Sequence, residues 1–194
     1  MRLIVDELKK SFGERTLFDR LTFSADLSKP LFLTGPSGIG KTTFLRMLMG
    51  LERPDGGTIT FEGVPAEPVR FGVVFQDNRL SEDYSALENV MSVCSRDAEP
   101  RILEDFERLL PQVDPKQPVY RLSGGEKRRV CLIRACRADA GVLVLDEPFT
   151  GLDEQAKEKC FAYLLQIAGQ RPIICALHET DIPQGNEPFR LGSL

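Results

Sequence analysis

Three short segments of this chain carry residue types that could bind and cleave a polyphosphate. Residues 35–42 fit the pattern G-x-x-x-x-G-K-[ST], whose backbone N–H groups surround phosphates. Residues 142–147 form an apolar run that ends in two carboxylates, Asp146 and Glu147. The sequence Leu-Ser-Gly-Gly-Glu at 122–126 lies between these two segments. Their types and order predict a site that binds and hydrolyses a nucleotide.

The first segment predicts a phosphate-binding loop between a strand and a helix. Its glycines allow backbone torsions and close approach that a Cβ would block, and the helix that starts at Lys41 adds a positive end. Lys41 would bring its charge to the β- and γ-phosphates, the Thr42 hydroxyl would bind Mg²⁺, and Thr43 would serve the α-phosphate. The predicted nucleotide-binding residues are Gly35, Pro36, Ser37, Gly38, Ile39, Gly40, Lys41, Thr42 and Thr43.

The acidic pair predicts the hydrolytic chemistry. Asp146 would hold Mg²⁺ through water, and Glu147 would orient and deprotonate the attacking water. The alternative is a solvated acidic pair at a strand end. His178, the only histidine, follows the apolar run 173–177, at the strand end where ligands bind in open α/β sheets. A packed or surface histidine is the alternative there.

The middle segment predicts a capped helix start. Ser123 can cap the helix and Glu126 can bond back to it. Capping alone does not explain Gly124 and Gly125, which leave the helix end open to an anion.

Together these segments resemble ATP-binding cassette (ABC) ATPases over nearly the whole chain. The resemblance implies that two copies sandwich two ATP molecules. The helix end of one copy would meet the γ-phosphate held by the loop of the other. The signature and D-loop residues that this assigns to the nucleotide are Ser123, Gly124, Gly125, Glu126 and Asp153.

The same resemblance assigns three further roles. Gln76 matches the Q-loop glutamine, which reaches Mg²⁺ and the attacking water. His178 matches a histidine that contacts the γ-phosphate, although Leu177 and Glu179 replace the usual Thr and Asp. Phe12 matches the aromatic residue that stacks on adenine; a core phenylalanine is the alternative. The predicted metal ligands are Thr42, Gln76 and Asp146.

The resemblance predicts the ATP-hydrolysing subunit of a membrane ABC transporter. Residues 76–90 are most similar to bacterial importer ATPases of the nitrate/sulfonate/taurine type. The implied partners are a second copy or a similar ATPase, transmembrane permease subunits, and an extracytoplasmic substrate-binding protein. The alternatives are a soluble ABC ATPase that acts on nucleic acid or ribosomes, a scaffold without turnover, and a small-molecule kinase.

Composition favours the transporter subunit over a nucleic-acid protein. The 194 residues carry a net charge of −4, and no dense Lys/Arg tract occurs. Apolar runs are strand-sized, and the first residues lack the apolar core of a secretion signal. The five scattered cysteines are expected to be small apolar residues in a reduced environment. These features predict a cytoplasmic protein, and the resemblance implies that it binds to the inner face of the membrane through its permease.

Strand-like runs that alternate with helical ones predict an α/β fold. The resemblance implies that this fold is of the P-loop ABC type, with a mainly parallel sheet and an antiparallel part. We expect one domain over 1–194 with a helical subdomain at 84–120. That subdomain is shorter than usual, and the connection 63–69 is brief. Strands are predicted at 3–5, 21–25, 31–34, 58–61, 71–75, 142–145 and 173–177. Helices are predicted from Lys41, from near Ser123 and over 153–168, the last with a buried stripe of Cys160, Phe161, Leu164, Leu165 and Ala168.

Overall fold

The computed structural model describes residues 1–63 and 68–191, so most of the brief connection predicted at 63–69 lies outside the described residues. The strands are β1 (Arg2–Phe12), β2 (Arg15–Asp26), β3 (Leu31–Thr34), β4 (Gly56–Glu62), β5 (Phe71–Val74), β6 (Val142–Asp146), β7 (Ile173–Ala176) and β8 (Pro188–Arg190). The helices are α1 (Lys41–Leu48), α2 (Ala86–Met91), α3 (Glu99–Leu109), α4 (Gly124–Arg137) and α5 (Glu154–Ala168), with 3-10 turns at Arg96–Ala98, Val119–Arg121 and Glu179–Asp181.

The chain divides into two compact units. The first comprises residues 1–63, 68–69 and 172–191, and the second comprises residues 70–171. The prediction of one domain over 1–194, with a helical subdomain at 84–120, stays a prediction. Helices α2 and α3 fall within that stretch.

An antiparallel sheet in the first unit has the order β2-β1-β4. Leu3, Val5 and Leu8 of β1 are fully buried, and Leu3 and Val5 follow the two-residue period of a strand with one covered face. The strand continues to Phe12, well past the predicted 3–5. It pairs with β2 along its whole length, and with β4 as far as Lys9, and these ladder hydrogen bonds extend it through polar residues.

The parallel strands of the first unit place the predicted phosphate-binding loop. Strand β3 pairs in parallel with β7 on one side and with β8 on the other. All four residues of β7 are buried, as expected for parallel strands covered on both faces. The sequence did not predict β8, which is three residues long. Its Phe189 packs against Phe23, with ring centroids 4.3 Å apart.

The second unit contains a second parallel pair, β5 with β6, and α4 packs against β5. The contact between α4 and β5 is close. A Cβ on Gly72 would lie 2.3 Å from the carbonyl oxygen of Ala135, so only glycine fits at this position. The tight packing fixes the helix that begins at the Leu-Ser-Gly-Gly-Glu segment relative to the strand that leads to Gln76.

A buried ion pair joins α3 to α4. The Asp105 carboxylate is 4% exposed and accepts hydrogen bonds from two nitrogens of the Arg137 guanidinium, one of them at 2.7 Å. Loss of either partner would leave the other charge buried and uncompensated, which costs more than the intact pair contributes. The pair therefore fixes where α3 lies on the second unit.

The predicted stripe of α5 is wrong at Leu165. Cys160, Leu164 and Ala168 are buried as predicted, but Leu165 is 42% exposed and Tyr163 is fully buried. Phe161 is half-buried and meets Phe149 edge-on, with ring centroids 6.2 Å apart. The helix is thus turned so that Tyr163, three residues after Cys160, shares its buried face.

The expectation that the cysteines are apolar core residues is confirmed for four of them. Cys131, Cys136, Cys160 and Cys175 are buried, Cys94 is half-buried, and all five are free thiols. Burial raises the pKa of Cys131 and Cys160 to about 11 and that of Cys136 to about 12. Over residues 1–63 and 68–191, no helix has the length and apolarity needed to cross a membrane.

Candidate functional site

The glycine-rich loop joins the end of β3 to the start of α1, as predicted. Its glycines have φ angles of 140° (Gly35), 78° (Gly38) and 109° (Gly40), which L residues rarely adopt. A Cβ on Gly40 would also lie 2.7 Å from Cζ of Phe18. The loop can therefore keep this path only with glycine at these positions.

Lys41 is buried beneath this loop. It is 7% exposed, and its Nζ donates to the carbonyl oxygens of Gly35 at 2.7 Å and of Pro36 at 3.5 Å. Within the described part of the first unit, Lys41 forms no ion pair. A nearly buried ammonium held only by carbonyl dipoles favours a nearby anion.

The start of α1 is open to an anion. Gly40 offers no side-chain cap, and the first turn contains no acidic residue. The N–H groups of the first turn have no partner within the helix. Arg15, which the sequence analysis did not single out, donates from its guanidinium to the Gly38 carbonyl at 2.6 Å and braces the loop from β2.

These features fit ATP and Mg²⁺. The glycine positions form a cradle that Cβ atoms would fill, the helix start presents N–H groups, and Lys41 supplies a cation. Thr42, Gln76 and Asp146 offer hydroxyl, amide and carboxylate oxygens, the donors that Mg²⁺ prefers.

His178 leaves the first unit's parallel strands at the same edge as the loop. The Leu177 N–H donates to the Leu33 carbonyl at 3.0 Å, and His178 is the next residue. Its side chain is exposed at the start of a 3-10 turn. The carboxylate of the neighbouring Glu179 pairs with Arg190 at 3.1 Å. The site therefore has an exposed imidazole, and Glu179 is held by β8.

Phe12 ends β1 and is 49% exposed. The Lys10 ammonium lies 4.7 Å from the ring centroid. An exposed aromatic ring is available for stacking, whereas the alternative that Phe12 is a core residue is wrong.

The second unit brings Gln76 and the acidic pair to one edge. Val74 of β5 is opposite Leu145 of β6, so Gln76 and Glu147 follow at the same end of the pair. Asp146 is 6% exposed, and Glu147 is half-buried with a φ of 49°. A non-glycine residue in this region is strained, and such strain tends to occur at functional positions.

The predicted capping box of α4 is confirmed. Ser123 Oγ accepts from the Glu126 N–H at 3.3 Å, and the Glu126 carboxylate accepts from the Ser123 N–H at 2.7 Å. These bonds from Ser123 lower the pKa of Glu126. A Cβ on Gly124 would meet nothing within 4 Å, so the helix start is open.

The start of α4 lies next to the segment that contains Asp153. A Cβ on Gly125 would be 3.3 Å from the Gly151 carbonyl. Asp153 is exposed and caps α5, accepting from the Ala156 N–H at 2.8 Å. The structure therefore brings the signature and the D-loop residues together within the second unit.

Arg128 is a residue whose role the sequence analysis missed. It stands in a basic run, Lys127-Arg128-Arg129, that continues the signature segment and fits the basic residues usual there in similar sequences. In the structure Arg128 is 3% exposed, and its guanidinium donates to the backbone carbonyls of Phe75, Gln76 and Glu147. These partners are distant in the chain and meet only because α4 packs on β5, so the sequence does not reveal the contact.

Comparison with known proteins identifies the family. Residues 18–150 match the sequence model of the ABC transporter family, and the chain belongs to that family, whose ATP-binding domains hydrolyse ATP. The predicted resemblance is therefore confirmed.

Curated relatives and a solved structure agree with this family. The Nod factor export ATP-binding protein I of Paraburkholderia xenovorans is 42% identical, covering 78% of this chain and 54% of that protein. Its counterpart from Ralstonia nicotianae is 38% identical, covering 91% and 59% respectively. The chain spans about half the length of these relatives. A Pyrococcus furiosus chain described as an ABC transporter ATP-binding protein matches with a TM-score of 0.83 and 24% identity over 98% of both chains. This likeness confirms the predicted P-loop ABC fold.

Proposed function

We propose that this chain is the ATP-binding and ATP-hydrolysing subunit of a membrane ABC transporter. The observation that carries the proposal is the start of α4. Ser123 caps this helix, yet the backbone at Gly124 is left uncovered. The same chain also has the glycine cradle around Lys41. A small-molecule kinase would use the cradle but would have no use for the exposed double glycine. Family membership supports a transporter over the soluble alternative that acts on nucleic acid or ribosomes.

The first unit would bind the nucleotide. Lys41 and the N–H groups at the start of α1 would hold the β- and γ-phosphates, with Thr43 on the α-phosphate side. The exposed ring of Phe12 would stack on adenine. His178, exposed at the same strand edge, would donate a hydrogen bond to the γ-phosphate.

Glu147 would act as the general base. Its carboxylate would orient the attacking water and accept its proton, and the Gln76 amide would position the same water. Mg²⁺, when bound, supplies charge that offsets the negative charge of the phosphates. Thr42, Gln76 and Asp146 would hold it.

Two copies would close around two ATP molecules. Ser123, Gly124, Gly125 and Glu126 of one copy would face the γ-phosphate bound by the other, because an uncovered helix start attracts an anion. Asp153 would cross the same interface. A closely similar ATPase could replace the second copy.

The permease would bind beside Gln76. A groove of about 250 Å³ in the second unit is lined by apolar side chains and by the two arginines Arg79 and Arg134. We assign it to a short cytoplasmic helix of the permease with apolar and acidic residues, because Arg79 and Arg134 complement acidic groups. The groove residues used here are Phe71, Val73, Phe75, Arg79, Val93 and Arg134. This partner would place the chain on the cytoplasmic face of the membrane.

Two observations favour different directions of transport. The segment 76–90 resembles importer ATPases, which favours import with an extracytoplasmic binding protein. The relatives named above are described as export proteins, which favours export as the second candidate. Reconstitution with the co-purified permease separates them. Import predicts that the binding protein stimulates turnover, whereas export predicts stimulation by cargo on the ATPase side.

Turnover by the purified chain tests the proposal. We expect wild-type protein to hydrolyse ATP, and Glu147→Gln to lose about 100-fold or more of the rate while its affinity for ATP stays within about threefold. The exposed Glu158 on α5 gives a matched control, Glu158→Gln, with wild-type turnover. Tight ATP binding without turnover in the wild type would instead identify a scaffold.

A further inference from the structure

The guanidinium of Arg128 lies between the two loops that carry Gln76 and Glu147. It is 3% exposed, at the second turn of α4. One terminal nitrogen, NH1, donates to the carbonyls of Phe75 at 2.6 Å and Gln76 at 3.1 Å. The other, NH2, donates at 2.6 Å to the carbonyls of both Asp146 and Glu147. Each terminal nitrogen therefore serves a different loop.

Further contacts complete this arrangement. Nε of Arg128 donates to the Glu147 carbonyl at 3.2 Å, and NH1 also reaches the Asn78 side-chain oxygen at 3.3 Å. A buried charge is tolerated only when its donors are satisfied. The planar fork of arginine can satisfy two separate acceptors at once, which the single nitrogen of lysine cannot do in the same geometry.

The Glu147 backbone needs such support. Its φ of 49° places it in the left-handed region, which costs free energy for a residue with a Cβ. Two guanidinium hydrogen bonds fall on the Glu147 carbonyl itself. These bonds hold the peptide that follows Glu147 in one orientation. The backbone orientation in turn sets the direction in which the Glu147 side chain leaves the main chain.

We propose that Arg128 is the positioning residue that holds Gln76 and Glu147 in register for attack of water on ATP. This rests on the proposed function, because Gln76 and Glu147 are the groups assigned to that water. Arg128 would touch neither the nucleotide nor the water, and would act through the backbone of the residues that do. A displacement of about 1 Å at such groups can lower the rate about 100-fold.

The test compares Arg128→Met with Arg171→Met. Arg171 is also in the second unit, and its guanidinium also donates to backbone carbonyls, those of Cys136 at 2.8 Å and Ile167 at 2.9 Å. We expect kcat of Arg128→Met to fall about 10- to 100-fold, with KM for ATP within about threefold. Arg171→Met should have a kcat within about twofold of the wild-type value, although its Tm should fall about as much as that of Arg128→Met.

Three further measurements separate positioning from folding. Guanidinium ion added to Arg128→Ala should restore part of kcat, because the cavity accepts the missing group. Arg128→Lys keeps the positive charge and serves as the second variant if Arg128→Met or Arg128→Ala does not fold. It should fold and still show the lowered kcat. Hydrogen–deuterium exchange should rise at 75–79 and 146–149 in Arg128→Met and stay unchanged in α5.

The outcomes distinguish this proposal from the proposed function. A folded Arg128→Met or Arg128→Lys that turns over ATP within about twofold of wild type overturns the positioning role. Unchanged exchange at both loops overturns it independently of any activity. If the wild-type protein does not hydrolyse ATP, the proposed function is wrong. Hydrogen–deuterium exchange would still show whether Arg128 holds the loops at 75–79 and 146–149.

Discussion

In each unit of the molecule a nearly buried cation of the candidate site donates to backbone carbonyls. Lys41 does so beneath the glycine loop, and Arg128 does so between the loops after β5 and β6. Burying a charge opposes folding unless its donors are satisfied. Glu147 adds backbone strain in the second unit. Such costly features concentrate where a ligand or a reaction requires them, which supports assigning both places to ATP.

At the residue scale, Lys41→Ala should weaken ATP binding. The substitution removes a charged donor from the proposed phosphate site, and such a contact contributes about 1.5–3 kcal/mol, or about 10- to 150-fold in Kd. The exposed Lys29 on the same unit supplies the control, Lys29→Ala, with unchanged Kd. Calorimetric titration with a non-hydrolysable ATP analogue measures both. Equal affinity in Lys41→Ala and wild type would remove Lys41 from the site.

At the element scale, helix starts are treated in two ways. Helices α2, α4 and α5 begin with a Ser or Asp whose side chain accepts a hydrogen bond from the first turn. Helices α1 and α3 begin after Gly40 and Ala98 without such a cap. In α3, Pro100 removes one of the N–H groups that a cap would serve. In α1 the proposed role explains the open start, because a side-chain cap would occupy N–H groups that a phosphate needs. Helix α4 can be capped at Ser123 and still offer Gly124 and Gly125.

The cap of α4 predicts a pH dependence of stability. Hydrogen bonds from Ser123 lower the pKa of Glu126 from its ordinary 4.5. The stabilisation by the carboxylate is therefore complete above pH 4.5 and is lost as pH falls through the lowered pKa. Glu126→Gln should cost about 0.5 kcal/mol of unfolding free energy at neutral pH, and this difference should vanish in acid.

Urea unfolding of wild type and Glu126→Gln at several pH values measures the effect, with Glu158→Gln as the control. The exposed Glu158 lies in the interior of α5, away from any helix start. A difference between wild type and Glu126→Gln that stays constant from neutral pH into acid would show that Glu126 contributes packing and not charge.

Elements buried on both faces were predicted well from sequence. Strand β3 begins and ends where its apolar run does, and β6 and β7 differ from the prediction by one residue at their ends. The reason is that a run of apolar residues reports burial directly. β1 was predicted too short because its last residues are held by pairing with β2 and β4, and pairing leaves little trace in composition.

The candidate site divides in the same way. The glycine loop, the capping box and the acidic pair follow local patterns, so the sequence predicted each of them. Arg15 and Arg128 were missed because each acts on residues far away in the chain, Gly38 and the carbonyls at 75–76 and 146–147. A surface-like basic run such as 127–129 does not reveal which of its members turns inward.

At the scale of the whole molecule, neither unit holds the complete set of groups. The first contributes the glycine loop, Phe12 and His178, and the second contributes Gln76, Glu147 and the start of α4. In the proposed dimer, the start of α4 in one copy must also contact the γ-phosphate of the ATP that is bound to the other copy. Association should therefore depend on ATP, and hydrolysis should undo it.

Sedimentation of Glu147→Gln with and without ATP and Mg²⁺ tests this dependence. The substitution should stop turnover while keeping the bound nucleotide, so we expect a shift from monomer to dimer on adding ATP, and none with ADP. Adding Ser123→Arg to this variant should leave ATP binding intact yet abolish the shift, because the new side chain fills the open helix start. A double variant that still dimerises would contradict the sandwich. Glu147→Gln that binds ATP and stays monomeric would contradict self-association of this chain and assign closure to its membrane partner.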